Sequence, residues 1–293
     1  MKKMGVALLG LVLLFVFAGA AEAEIKIGVL AKRGPEKAMA DWKATGDYLT
    51  AKLGEPVVIL PLKFVDIEPM VKGGNIDFML ANSAFYVEME KKYGVKAVAT
   101  LINSRDGKPL KEFGGVVLAR ADSPIQTLAD LKGKKFMCVK YSSFGGAQMA
   151  WRLLLENGID PQQDFAVFAE GGKHDNVVLA VKNKVMDAGT VRSDTLERMA
   201  AEGKINMADF RIIHQVKDDF PFVHSTILYP EWPMAAVAHV EAGKAARLGA
   251  ALQALTSTDP AAKNAELVGW SSPADYSQVR ECLHAINYGA FAK

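Results

Sequence analysis

The sequence predicts an α/β protein of two lobes, the second inserted into the first, with two connecting strands between them. Three features carry the prediction. Short apolar or β-branched runs alternate with segments of helical spacing, the rhythm of βαβ units. That rhythm runs over residues 24–116 and starts afresh over residues 117–221. The chain then re-enters at Phe222 and finishes in helices through residue 293, so residues 222–293 complete the first lobe. No tandem repeat or low-complexity linker interrupts the pattern.

The elements follow in order. Residues 24–30 alternate and then turn apolar, as a strand does. Gly34 and Pro35 open a helix with proline in its first turn; Ala38, Met39, Trp42, Tyr48, Leu49 and Leu53 form its apolar face, and Gly54 ends it. Strands are predicted at 57–60, 76–80 and 95–102, with a short helix over 66–72 and a helix over 84–93 capped by Asn82 and Ser83. The second series comprises strands at 114–120, 135–140, 165–169, 187–191 and 211–214. Its helices start near Thr127, after Ser143 and near Asp175, and a last one over 194–201 is capped by Ser193. A further strand over 222–228 carries the chain back, and helices cover 241–255 and 274–286.

The first 23 residues carry an address. Lys2 and Lys3 precede the apolar run Val6 to Ala18, and Ala21-Glu22-Ala23 supplies small residues at a cleavage position. This is the pattern of a cleaved secretory signal peptide, with a mature chain starting at Glu24. No later segment reaches the about 20 apolar residues of a membrane span. The mature chain is therefore expected to be soluble and exported to the periplasm. Its formal charge falls from +2 to about +1, because Lys2, Lys3 and Glu22 leave. So balanced a charge argues against nucleic acid as a partner. Cys138 and Cys282 are read as two buried thiols, a disulfide being the alternative, and the five histidines are scattered without metal-ligand spacing. Neither a metal site nor a cofactor is expected.

The segment from Lys134 to Trp151 is the focus. It reads as strand, tight turn with Ser142 and Ser143, then helix. Such a junction gathers free backbone N–H groups, hydroxyls and the positive end of a helix dipole, which suits an anion. The same serines also suit plain helix capping.

Five segments in order give the mature chain a resemblance to the periplasmic phosphonate-binding proteins of ABC transporters and their phosphate/phosphite/phosphonate relatives. They are Gly74 to Tyr86, Ala121 to Lys135, Tyr141 to Gly145, Gly172 to Asn176 with Ala180 to Gly189, and Gly269 to Arg280. The resemblance implies a type II periplasmic-binding-protein fold, bilobal and monomeric, that closes on an oxyanion at a hinge. It implies that Ser142, Ser143 and the amides of Phe144 and Gly145 hold the anionic head, with His174 assisting. Asn82 and Ser83 would form the other jaw, with the aromatic Tyr86 nearby. His174, Asn82 and Ser83 have helix capping as their alternative role. In place of the acidic or amide groups that meet the ammonium of aminoalkylphosphonates, this chain has Arg192, which faces the anion or pairs outward with Asp194 or Glu197.

Two roles follow from the resemblance. One is a solute receptor that hands its oxyanion to an ABC permease. The other is suggested by Gly189 to Glu197 and Ser225 to Pro233, which are similar to sensor domains fused to histidine kinases: a sensor acting in trans on a membrane kinase, with a phosphorus or sulfur oxyanion as ligand. An enzyme is not expected. Ser143 lacks a Gly-x-Ser-x-Gly elbow, Tyr141 standing two residues before it, and no P-loop is present.

Overall fold

A computed structural model describes residues 24–105 and 108–293, the Arg105 side chain excepted; the predicted signal peptide lies outside them. The chain first lays down β1 (Ile25–Leu30), α1 (Pro35–Leu53), β2 (Val57–Leu62), α2 (Ile67–Lys72), β3 (Phe78–Leu80), α3 (Ser83–Tyr93), β4 (Lys96–Arg105) and β5 (Lys108–Leu110). It crosses through β6 (Glu112–Phe113) into β7 (Gly115–Arg120), β8 (Lys135–Cys138), α4 (Met149–Glu156), α5 (Pro161–Asp164), β9 (Val167–Glu170), α6 (His174–Lys182), β10 (Ala188–Arg192), α7 (Thr195–Ala201) and β11 (Phe210–Ile213). It returns through β12 (Tyr229–Pro230) to β13 (Pro233–Ala236), α8 (Ala242–Gln253), α9 (Pro260–Ala265), β14 (Leu267–Ser271) and α10 (Ser277–Ala285).

Two sheets and a ribbon result. The first has the order β14-β4-β13-β3-β1-β2, with β5 added to β4; β2, β1 and β3 run parallel. The second has the order β11-β7-β10-β8-β9, with β10, β8 and β9 parallel. Between them β6 and β12 pair antiparallel, Phe113 opposite Tyr229. The bilobal α/β architecture joined by two strands is therefore present. One large apolar core fills the first lobe and continues through Phe113 and Tyr229 to Phe144, Met149 and Trp151 of the second. Two smaller cores cover the faces of the second sheet. Cys138 and Cys282 are free and buried, and burial pushes both thiols up to about 12.

Several expectations are corrected. Residues 222–228 form no strand. Ser225 and Thr226 hydroxyls instead accept the amides of Val117 and Gly115, so side chains serve the end of β7 where a ladder strand was expected. Ser193 does not cap α7: its hydroxyl accepts the Gly114 amide, and Asp194 enters the helix at φ 73°. The helix expected from Thr127 is one 3-10 turn, Ala129–Leu131. Elements β5, β6, α5, β12, β13, α9 and β14 have no counterpart among the predicted elements, and the strands β12, β13 and β14 lie where only helices were expected.

Candidate functional site

In both sheets the carboxyl ends of the parallel strands face one interlobe cleft, the position at which open α/β sheets bind ligands. A narrow cavity there is lined by Leu30 at the end of β1 and Lys32 beyond it, Phe64 beyond β2 and Asn82 beyond β3. The second lobe adds Ser143, Phe144 and Gly145 beyond β8, His174 beyond β9 and Arg192 at the end of β10, and the connecting segments add Phe113 and Trp232. Asn82 Nδ2 donates to the carbonyl of Ser142 at 3.3 Å, which clasps one lobe to the other.

The turn after β8 is wound more widely than an ordinary helix. Phe144 to Gln148 form a π-helical turn, in which Gln148 N–H reaches Ser143 O at 3.2 Å and Met149 N–H reaches Phe144 O. This i→i+5 pattern leaves the amides of Phe144 to Ala147 ahead of the first intrahelical bond, one more than an α-helix would leave. Glycine is required inside it. A Cβ on Gly146 would lie 2.5 Å from Val139 Cγ2, and one on Gly145 would lie 2.8 Å from the Phe113 ring. Ser143 is buried at the head of the turn, yet its hydroxyl does not cap it. The hydroxyl is left for the cavity.

Arg192 is only 6% exposed. Its guanidinium lies 4.1 Å over the Phe113 ring and pairs through both terminal nitrogens with Glu231, a carboxylate between β12 and β13 that also accepts from Asn103 Nδ2 and the Trp232 amide. Burial opposes the charge, but Glu231 and Asp194 outweigh it and raise the guanidinium pKa. Arg192 Nε lies 3.8 Å from Asp194 and has no hydrogen-bond partner among the described residues. Arg192 thus lines the cavity, and its principal partner is Glu231, neither of the two acids considered from sequence.

His174 is the first residue of α6. Its Nδ1 accepts the Arg192 backbone amide at 3.2 Å, which leaves Nε2 to carry the proton. Burial first, then Lys32 and Arg192, push its pKa down to about 3, so the ring is a neutral donor at physiological pH.

Of the residues expected from sequence, the cavity collects Asn82, Ser143, Phe144, Gly145, His174 and Arg192. Asn82 lines the cavity and is also the cap of α3, its Oδ1 accepting the Ala84 and Phe85 amides. Three residues are elsewhere. Ser83 is fully buried and its hydroxyl donates to Pro230 O at 2.7 Å, which ties α3 to the connecting segment. Tyr86 is buried against Tyr276, its hydroxyl on Glu90. Ser142 contributes its carbonyl to the Asn82 clasp and does not line the cavity. Sequence reasoning missed Lys32, Phe64, Phe113, Glu231 and Trp232. Lys32 was open to discovery, because it follows the first parallel strand at its carboxyl end.

Two wider cavities share walls with the narrow one. One, of about 310 Å³, has Lys32, Arg33, Lys173, Arg192 and Arg198 against Asp175 and Asp194. The other, of about 80 Å³, is walled by Trp42, Leu101, Trp232 and Leu267 together with Glu231 and Glu266. The first concentrates positive charge at an entrance to the cleft, which favours the approach of anions.

Comparison with known proteins bears on the family and the fold. The chain is 32% identical over 262 residues to the tetrathionate sensor histidine kinase TtrS of Salmonella typhimurium, which covers 89% of this chain and 43% of the kinase. This chain thus spans less than half the length of that relative. Its fold is similar to that of PhnD1 from Prochlorococcus marinus in complex with methylphosphonate (TM-score 0.73, 16% identity, 90% of this chain and 98% of that one). It is also similar to a binding protein component of an ABC phosphonate transporter from Pseudomonas aeruginosa (TM-score 0.71, 15% identity, 90% and 85%). A family model described as the periplasmic substrate-binding protein of phosphonate ABC transporters matches residues 27–281, so the chain belongs to that family of solute-binding proteins.

Proposed function

We propose that this protein captures a small tetrahedral oxyanion of the phosphonate or phosphate type between its lobes and delivers it to an ABC permease. The observation that carries the reading is the convergence of donors on one cavity: the amides at the head of the π-turn, the Ser143 hydroxyl, the protonated nitrogen of His174, Lys32 and Arg192. An anion that reaches both lobes favours the closed arrangement by its greater affinity for it. Cleavage after residue 23 would release the chain into the periplasm, where it acts as a monomer without catalysis.

A second reading is favoured by the similarity to TtrS. Here the same closure is read by a membrane histidine kinase, and the ligand is a phosphorus or sulfur oxyanion. Thermal-shift titration of the mature protein tests the common core. Phosphate, phosphite, methylphosphonate, 2-aminoethylphosphonate, sulfate, thiosulfate and tetrathionate are compared, since a ligand of the native state raises the midpoint with concentration. At least one should do so. No shift with any of them overturns the oxyanion reading.

A further inference from the structure

The polar walls of the narrow cavity are nearly all donors. Lys32, the His174 ring N–H, the Arg192 guanidinium and the amides from Phe144 onward offer hydrogens. Arg192 Nε is a buried donor with no hydrogen-bond partner among the described residues. The acceptors close by are already engaged. Asn82 Oδ1 takes two helix amides, and Ser142 O takes Asn82 Nδ2. His174 Nδ1 takes the Arg192 amide, and the Glu231 carboxylate is held by Arg192, Asn103 and the Trp232 amide. Asp194 stands behind Arg192 and lines the wider cavity rather than this one. The Ser143 hydroxyl alone has either polarity, and it accepts from a ligand only if its own hydrogen is turned away.

An oxyanion that keeps a proton differs from one that does not. The second proton of a phosphoryl group leaves near pH ~6, and alkylphosphonates hold theirs somewhat longer, so such heads carry a P–OH on the acidic side of neutrality, and inorganic phosphate keeps one above it. A sulfonate or thionate end carries no proton there. Apart from the Ser143 hydroxyl, a P–OH enclosed by these donors meets no unengaged side-chain acceptor among the described residues that line the cavity, and a buried donor without a partner loses its hydration uncompensated. Building on the oxyanion reading above, we infer that the cleft selects a fully deprotonated head, a phosphonate dianion or a sulfonate or thionate, over a phosphonate or phosphate head that retains a proton.

Methanesulfonate and methylphosphonate separate the two, because below the phosphoryl pKa of ~6 they are monoanions of nearly equal size that differ in one hydrogen. Calorimetric titration of the mature protein at about pH 5 should find methanesulfonate tighter by about tenfold or more. His174, with its pKa near 3, keeps its neutral form there. The variant Asn82→Asp retains the helix cap and places a carboxylate at the cavity wall; it should reduce that ratio or invert it. Methylphosphonate binding as tightly as methanesulfonate, or tighter, in the wild-type protein overturns the selection and leaves the oxyanion reading standing. A wild-type protein that binds neither, nor any member of the wider panel, overturns both.

Discussion

Replacing Glu231 by glutamine tests the pair that joins the second lobe to its connection. Glu231 is 1% exposed and Arg192 6%, so both charges are held away from water. Glutamine keeps the side-chain shape and can still accept from Arg192 through its carbonyl, but it removes the countercharge. A buried ion left without its partner costs about 3–5 kcal/mol. The remaining neighbour, Asp194, lies 3.8 Å from Nε and compensates in part, which places the expected loss at the lower end, about 3 kcal/mol. For a chain of this size that is a fall in Tm of roughly 6–12 °C. Thermal unfolding of wild-type and Glu231→Gln proteins without ligand measures it. The same variant frees the guanidinium for the ligand, so the Tm rise produced by a saturating oxyanion should exceed that in the wild type. An unliganded Tm within about 2 °C of the wild type, less than 1 kcal/mol on the same scale, would refute the claim that Glu231 stabilises the buried charge.

Three further outcomes follow from the geometry. Ser83→Ala should lower stability by about 1 kcal/mol, through loss of the bond to Pro230 O, and leave oxyanion affinity unchanged in titration. Gly145→Ala should weaken binding at least tenfold and lower Tm, because the new Cβ would lie 2.8 Å from the Phe113 ring and 3.2 Å from Arg192 Cβ, an overpacking that costs about 1–3 kcal/mol. His174 has a depressed pKa when folded. Below about pH 6.5 the unfolded chain takes a proton that the folded ring refuses, so its contribution is intact above that pH and is lost as pH falls toward about 3. Between about pH 7 and about pH 4, the wild-type Tm should therefore fall further than that of His174→Gln; parallel profiles would remove the assignment.

The strand–helix rhythm was readable because most elements carry their own local signals. Helix α1 shows proline at its start and Gly54 at φ 74° at its end, and β1 is buried at five of six positions. The misplaced elements are those whose identity depends on distant partners. Residues 222–228 have the composition of a strand, yet Ser225 takes the Val117 amide and donates to Ile213 O, so hydroxyls supplement two backbone bonds to Gly115 O where a full ladder was expected. Nothing local distinguishes those arrangements. Likewise β6 and β12 are two residues each and are defined only by their mutual pairing.

The site divides along the same physical line. Ser143, Gly145, His174 and Asn82 sit at strand-to-helix junctions; the local pattern marked the turn at Ser143, and the family resemblance marked the other three. The distinction between lining and capping depends on where each hydroxyl or amide finds a partner. Ser83 and Ser143 are the same residue type at similar junctions. One donates to Pro230 O across 147 positions, and the other has its hydroxyl in the cavity without capping its turn. Arg192 shows why local reasoning stops short. Its charge could be read from the sequence, and the family resemblance implied its nearness to the anion turn, but Glu231 lies 39 positions away. With that carboxylate on both terminal nitrogens, the guanidinium meets a ligand as part of a nearly neutral pair. On the reading proposed above, discrimination between ligands then rests on the placement of hydrogens more than on the number of charges.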